Sequence, residues 1–328
     1  MKILRTFLPL ALMASPLLSA EDAGKGTWTD PVKAAKENPD FSIQGEYHLE
    51  GAPVAAQVVA LGNGVFDAYI LEGGLPGLGW KKGDPRVQLR GNLEEGIVTF
   101  TEIKGTSALL DEGHLTIQRS GKDTVKVPRI ARQSGTLDAK PPKGAKILFD
   151  GKNTDQWDKG QIENGLLKST GTTSIPKFKS YQLHLEFRTP FKPTARGQGR
   201  GNSGVYFGGR WETQVLDSFA LDGKMNECGG IYSIAAPSVN MCLPPLTWQT
   251  YDVDFTAAKF DAEGKRSAWP HMTVKLNGVV IHDKQELNKD LTTAAPAKGP
   301  LKDEARPVFL QNHGNPVFFR NIWVLPTK

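Results

Sequence analysis

The chain has 328 residues, 39% hydrophobic and 23% charged, with 35 glycines and 22 prolines, a composition that suits a loop-rich β protein and argues against a helical bundle. Its formal net charge is +5. Setting aside Lys2 and Arg5 leaves 38 basic against 35 acidic side chains, mixed along the chain without blocks, which argues against a nucleic-acid partner.

The first twenty residues, MKILRTFLPLALMASPLLSA, place two basic residues before an apolar run and end on small residues, as a cleaved secretory signal does. Cleavage is expected after Ala20, giving a periplasmic or secreted protein. A signal anchor is the alternative, but the run from Phe7 to Leu18 is broken by two prolines and is short for a bilayer. No cysteine follows to carry a lipid, and no later stretch has the length of a transmembrane helix.

Residues 21–40 read as a flexible or partly helical lead-in. From Phe41 the texture changes to short β-branched runs separated by Gly, Asn-Gly and Asp, as in AQVVALGNGVFDAYILEGG and HLTIQRSGKDTVKVPRI, the pattern of successive hairpins. This predicts a small antiparallel β domain over residues 41–133, without a catalytic constellation. LEGGLPGLGWKKGD is glycine-rich but lacks the strand context and spacing of a phosphate-binding loop, so it reads as a turn. A Pro-, Gly- and Lys-rich stretch over 134–144 reads as a linker.

Residues 145–328 are expected to form the second domain. In YQLHLEFR, Tyr181, Leu183, Leu185 and Phe187 alternate with Gln182, His184, Glu186 and Arg188, so one face is core and the other polar, with His184 expected to be exposed. QTYDVDF repeats the alternation, Asn277-Gly278 marks a hairpin, and PVFLQNHG and PVFFRNIWVL close the chain. Many short strands without covering helices must pack sheet on sheet, which predicts an all-β fold with a C-terminal jelly-roll β-sandwich.

The polar positions of one segment, GNSGVYFGGRWETQVLDS, carry particular chemistry. If its two strands pair around Gly208-Gly209, then Asn202, Arg210, Glu212 and Gln214 lie close together on one sheet. Glu212 and Gln214 share a face by the period of two, whereas Asp217 joins them only through a bulge and otherwise caps a turn with Ser218. His313, in the loop sequence QNHGNP beside Gln311, is the histidine best placed for a site. His48, His114, His271 and His282 lie near strand ends without a partner that the sequence names. Metal-ligand spacings and a Gly-x-Ser-x-Gly elbow are missing, so neither a transition-metal site nor a serine nucleophile is indicated. No cofactor is expected, and a divalent cation, while compatible, is not indicated.

The only cysteines, Cys228 and Cys242, are expected to form a disulfide in an exported protein. A metal pair lacks further ligands, and a free-thiol nucleophile ranks last.

Taken in order, ILFDGKNTDQW, ENGLL, YQLHLEFRTP, GNSGVYFGGRWETQVLDS, ECGGIYS, WQTYDVDF and VFLQNHGNPVFFRNIWVLP resemble the landmarks of the 3-keto-disaccharide hydrolase domain family over residues 145–328. The resemblance implies a concanavalin-like jelly roll and action on glycosides whose sugar carries a 3-ketone, with an oligosaccharide or glycoside as the partner. WETQVLDS is also similar to the Glu-x-Asp-x-x-Glu strand of glycoside hydrolase family 16, with Gln214 and Asp217 at the second and third positions. Gln214 departs from that pattern, as does Asn312 where the keto-sugar family often has Asp beside the histidine. A ketone at the third carbon acidifies the proton on the second, so elimination needs one base, one acid and donors for the enolate, without a carboxylate pair spaced for double displacement. On this reading Glu212 or His313 is the base, Asp217 the acid or a hydrogen-bonding partner, and Asn202, Arg210, Gln214, Trp211 and Gln311 contact substrate. The rival reading is a non-catalytic, lectin-like carbohydrate-binding module with Trp211 or Trp248 as a stacking platform.

Overall fold

A computed structural model of the protein describes residues 26–327; the expected signal segment and its cleavage point lie outside them. Among the described residues no helix is long and apolar enough to cross a membrane.

After two short helices, Pro31–Glu37 capped by the Asp30 side chain and Pro39–Ile43 capped by Asn38, the hairpin series closes into an eight-stranded antiparallel barrel. It starts at Gly45–Tyr47 and ends at Lys122–Ile130, whose mutual pairing seals it. Closure removes the exposed strand edges that an open sheet of this size would present. Inward residues such as Val58, Phe66, Leu89, Phe100 and Ile117 fill the barrel. Phe191 and Leu246, from the later part of the chain, belong to the same core.

Most of the remainder is a sandwich of two antiparallel sheets, with a small ribbon of Lys259–Phe260 and Arg266–Ala268 beside them. The larger runs in the order Ile162–Glu163, Leu166–Lys168, Phe318–Thr327, Ser180–Arg188, Gln249–Thr256, His271–Leu276 and Val279–Glu286, with Lys146–Phe149 also paired to Phe318–Thr327. The smaller runs Thr172–Thr173, Phe309–Leu310, Ser203–Phe207 and Trp211–Val215. Tyr181, Leu183, Leu185 and Phe187 face inward as their alternation predicts, meeting Val205, Phe207, Trp211 and Val215 across the core. Tyr181 stacks on Phe207 at 6.1 Å and Trp211 lies 5.8 Å from Phe255. This all-β jelly-roll arrangement is the fold class read from the sequence. Asn277 and Gly278, with φ of 54° and 82°, form the expected tight hairpin turn.

Two expectations change at this level. His184 is fully buried, not exposed, because Trp323 stacks on it at 5.2 Å and the 134–139 segment straps across the outer face of the larger sheet. The expected disulfide between Cys228 and Cys242 is not formed: both are buried free thiols, and Cys242 Sγ donates to the Leu216 carbonyl at 3.6 Å. Cys228 Sγ also lies 3.5 Å from the Tyr251 hydroxyl, and burial pushes the Cys242 thiol up from its usual range.

Candidate active site

The hairpin GNSGVYFGGRWETQV pairs in register, Gly204 with Gln214 and Tyr206 with Glu212, without a bulge. Strand alternation therefore puts Asn202, Gly204, Tyr206, Glu212 and Gln214 on the outer face of the smaller sheet, while Val205, Phe207, Trp211, Thr213 and Val215 turn inward. Two loops enclose this outer face. The segment after Asn226 runs along the free edge, with Tyr232 N donating to Glu212 O and Gln214 N to Gly230 O. Beyond Asp290, Thr292 receives the Glu212 amide on its hydroxyl. The result is a cavity of about 90 Å³ lined by Gln198, Asn202, Glu212, Gln214, Tyr232, Thr293, Ala294, Gln311 and His313.

Glu212 is at the centre of this group. The residue is 3% exposed, and its carboxylate accepts a 2.8 Å hydrogen bond from the Tyr206 hydroxyl on Oε2. Burial raises its pKa to about 7, against a smaller lowering by that hydrogen bond. Gly204 makes room for it: a Cβ there would lie 2.3 Å from Glu212 Oε1. Burial also pushes the Tyr206 hydroxyl up, so it stays a neutral donor.

The orientation of the surrounding amides follows from two backbone carbonyls. Gln198 Nε2 donates to Asn226 O at 2.8 Å; a carbonyl only accepts, so Gln198 Oε1 points the other way. It accepts from Asn202 Nδ2 at 2.8 Å and Gln214 Nε2 at 2.9 Å. Likewise the Tyr206 proton goes to Glu212 or to Thr293 O, leaving its oxygen to accept from Gln311 Nε2 at 3.1 Å. With their nitrogens pinned, the side-chain oxygens of Asn202, Gln214 and Gln311 are buried without a partner among the described residues. Buried orphan acceptors are costly unless a ligand supplies donors. Among the described residues no lysine or arginine lines the cavity. It therefore presents acceptors and suits an uncharged, hydroxyl-rich ligand. No group of three or more His, Cys, Asp and Glu is placed to hold a metal ion among the described residues.

The structure thus brings together Glu212, His313, Asn202, Gln214 and Gln311. His313 is exposed at this cavity, and Asn312 beside it accepts from Gly314 N at 2.9 Å, closing a local turn. Three other expected residues lie elsewhere. Trp211 faces the inter-sheet core, its indole donating to Lys289 O at 2.7 Å, because it is one residue out of phase with Glu212. Arg210 belongs to the turn, where its guanidinium donates to the carbonyls of Asp290, Gly299 and Pro300 and holds the 290–300 loop. Asp217 follows the strand end; it pairs with Arg200 at 2.7 Å and accepts from Phe219 N, so it caps a turn and lines a different cavity.

Sequence reasoning missed four contributors. Tyr206 shares the parity of Asn202 and was within reach of the same period-two argument. Gln198, Tyr232 and Thr293 arrive on loops whose destinations no local pattern reveals.

The jelly-roll sandwich thus carries, on the outer face of one sheet, a buried carboxylate beside acceptors left without partners among the described residues. Residues 144–325 match the sequence profile of the 3-keto-alpha-glucoside-1,2-lyase-like domain. The chain belongs to that family, and the barrel lies outside the match. A candidate glycosyl hydrolase from Parabacteroides distasonis, solved at 2.13 Å, is 30% identical and superposes with a TM-score of 0.53, covering 63% of this chain and 95% of its own. Another from the same organism, at 1.70 Å, is 20% identical with a TM-score of 0.41, covering 57% of this chain and 95% of its own. No curated protein matches the chain.

Proposed function

We propose that the protein is an exported enzyme that cleaves 3-keto-glycosides, with Glu212 as the general base. The observation that carries this reading is a buried carboxylate whose pKa is raised to about 7, in a cavity of outward-facing acceptors. A base is most effective when its pKa lies near the working pH. Glu212 takes the proton from the second carbon, and the electrons pass to the carbonyl at the third carbon as an enolate. Their return expels the glycosidic oxygen at the first carbon, which takes a proton from His313. The unsaturated ketone then either leaves or adds water to give the free keto-sugar. Asn202, Gln214 and Gln311 accept hydrogen bonds from sugar hydroxyls, and the Tyr232 hydroxyl is available to the enolate. Because the ketone is itself the electron sink, the reaction as proposed calls for no organic cofactor. A double displacement would need a second carboxylate close to Glu212; Asp217 is held by Arg200 instead.

The lectin-like alternative loses its stacking platform. Trp211 is buried, and Trp248 is covered by the guanidinium groups of Arg188 and Arg320 at 4.9 and 4.4 Å. The deciding experiment is release of the leaving group from a 3-keto-glucoside alongside its unoxidised parent. Turnover of the ketone only supports the reading; binding of both without turnover refutes it.

A further inference from the structure

The barrel contributes no side chain to the Glu212 cavity, all of whose lining residues lie between Gln198 and His313. It is nevertheless joined to one wall from behind. Phe191 pairs its backbone with Trp28 and packs its ring against Trp28 and Phe41 at 5.6 and 5.2 Å. Three residues on, Thr194 meets the barrel at Gly62, where an added Cβ would lie 2.6 Å from Thr194 Cγ2. Arg196 Nη2 then donates to Leu61 O at 3.1 Å. Arg200 completes the series: its guanidinium reaches Ala60 O at 3.3 Å and Gln44 Oε1 at 3.4 Å on the barrel side, and Asp217 at 2.7 Å on the sandwich side.

The segment between these anchors carries Gln198, whose carbonyl fixes both the Asn202 and the Gln214 amides. Asn202 itself lies two residues beyond Arg200. A separate cavity, lined by Tyr69 and Leu61 of the barrel and by Arg196, Arg200 and Asp217, lies on the other side of this strap. The barrel therefore touches the support of the sugar contacts but not the ligand space.

We propose that the barrel is the positioning element of the active site, acting through Arg200 and Arg196 to hold the 191–202 strap and thereby the acceptor oxygens of Asn202 and Gln214. Arg200 is a positioning residue, and the buried Asp217 carboxylate serves as its counter-charge. This explains why a carboxylate in the WETQVLDS motif is committed to an ion pair facing away from Glu212. The kinetic arm of the proposal rests on the keto-glycoside reading; its structural arm does not.

The test uses the full chain. Arg200→Lys retains a cation for Asp217 but lacks the planar fork that reaches the barrel carbonyls, and Arg196→Ala removes an exposed anchor with little risk to folding. Lys82→Ala is the control, because Lys82 joins barrel and sandwich elsewhere, donating to the carbonyls of Gly223 and Pro237. Amide hydrogen exchange over residues 197–202 should accelerate in the first two variants and not in the control. With a 3-keto-glucoside, KM should rise about tenfold in both while kcat changes less, since displaced binding groups weaken substrate positioning. Unchanged exchange in both strap variants, or an equal effect of Lys82→Ala, would overturn the proposal. If the wild type does not turn over the ketone, the functional reading fails, and the exchange measurement still decides whether the barrel holds the strap.

Discussion

The outer faces of the two sheets carry similar polar side chains and treat them in opposite ways. On the larger sheet, His184 lies between Asp252 at 2.6 Å and Glu186 at 3.6 Å. Glu186 also receives Arg320 at 2.6 Å, Asn321 at 2.9 Å and the Asp138 amide at 2.6 Å. Burial pushes the Glu186 pKa up, but these hydrogen bonds outweigh it and hold the carboxyl at about 2. On the smaller sheet, Glu212 has one neutral donor, Tyr206, and burial leaves it at about 7. Both glutamates are almost completely buried, so burial alone does not distinguish them. The difference is whether the surrounding structure supplies donors, and a face left short of donors is one prepared for a ligand.

Exchanging each carboxylate for its amide should break this contrast most sharply. Glu212→Gln should reduce turnover of a 3-keto-glucoside about a thousandfold, the scale of a lost general base. Glu186→Gln should leave turnover near wild type at temperatures where the variant is folded.

The same pair should invert in stability. Glu186→Gln leaves Arg320 and His184 short of a buried partner and should cost about 3 kcal/mol, read as a lower melting temperature. Because the folded pKa of Glu186 is depressed, its contribution is present above pH 4.5 and is lost as pH falls toward about 2. Glu212 has the opposite sign: its raised pKa means that ionisation opposes folding progressively from pH 4.5 to about 7. Glu212→Gln should therefore stabilise the protein above that range, by on the order of 3 kcal/mol, and have little effect below pH 4.5.

Gly204→Ala forces a methyl group against the Glu212 carboxylate and should lower kcat/KM by about one to two orders of magnitude, with the fold preserved by circular dichroism. The smallest effect is expected from Tyr206→Phe. It removes the hydrogen bond that lowers the Glu212 pKa, so the acid limb of the kcat/KM profile, centred near pH 7 in the wild type, should move to higher pH. A shift to lower pH would contradict the assignment of that limb to Glu212.

The contrast also marks how far the sequence could be read. YQLHLEFR and WETQV show their inward and outward residues by alternation alone, and that part of the fold was legible. So was the grouping of Glu212 with Gln214, and of both with Asn202 across the glycine turn. The same alternation places Trp211 in the core, although its aromatic character had suggested a sugar contact. Asp217 could not be decided locally, because its role depends on Arg200, seventeen residues earlier in the chain. His184 departs from its expected exposure for a related reason: an outward position on a strand is exposed only if nothing covers the sheet, and residues 134–139 cover it.

The sequence by itself determined the β class, the hairpin periodicity, the family and the residues that share a face, because each rests on short-range patterns of side-chain size and polarity. The tertiary structure decided which polar face is satisfied and which is open. Those partners come from distant strands and loops: Arg320 and Asn321 to Glu186, Gln198 and Tyr232 to the Glu212 cavity. Whether a buried carboxylate is held near 2 or raised near 7 depends on charges and donors brought within a few ångströms, and chain folding alone fixes those distances.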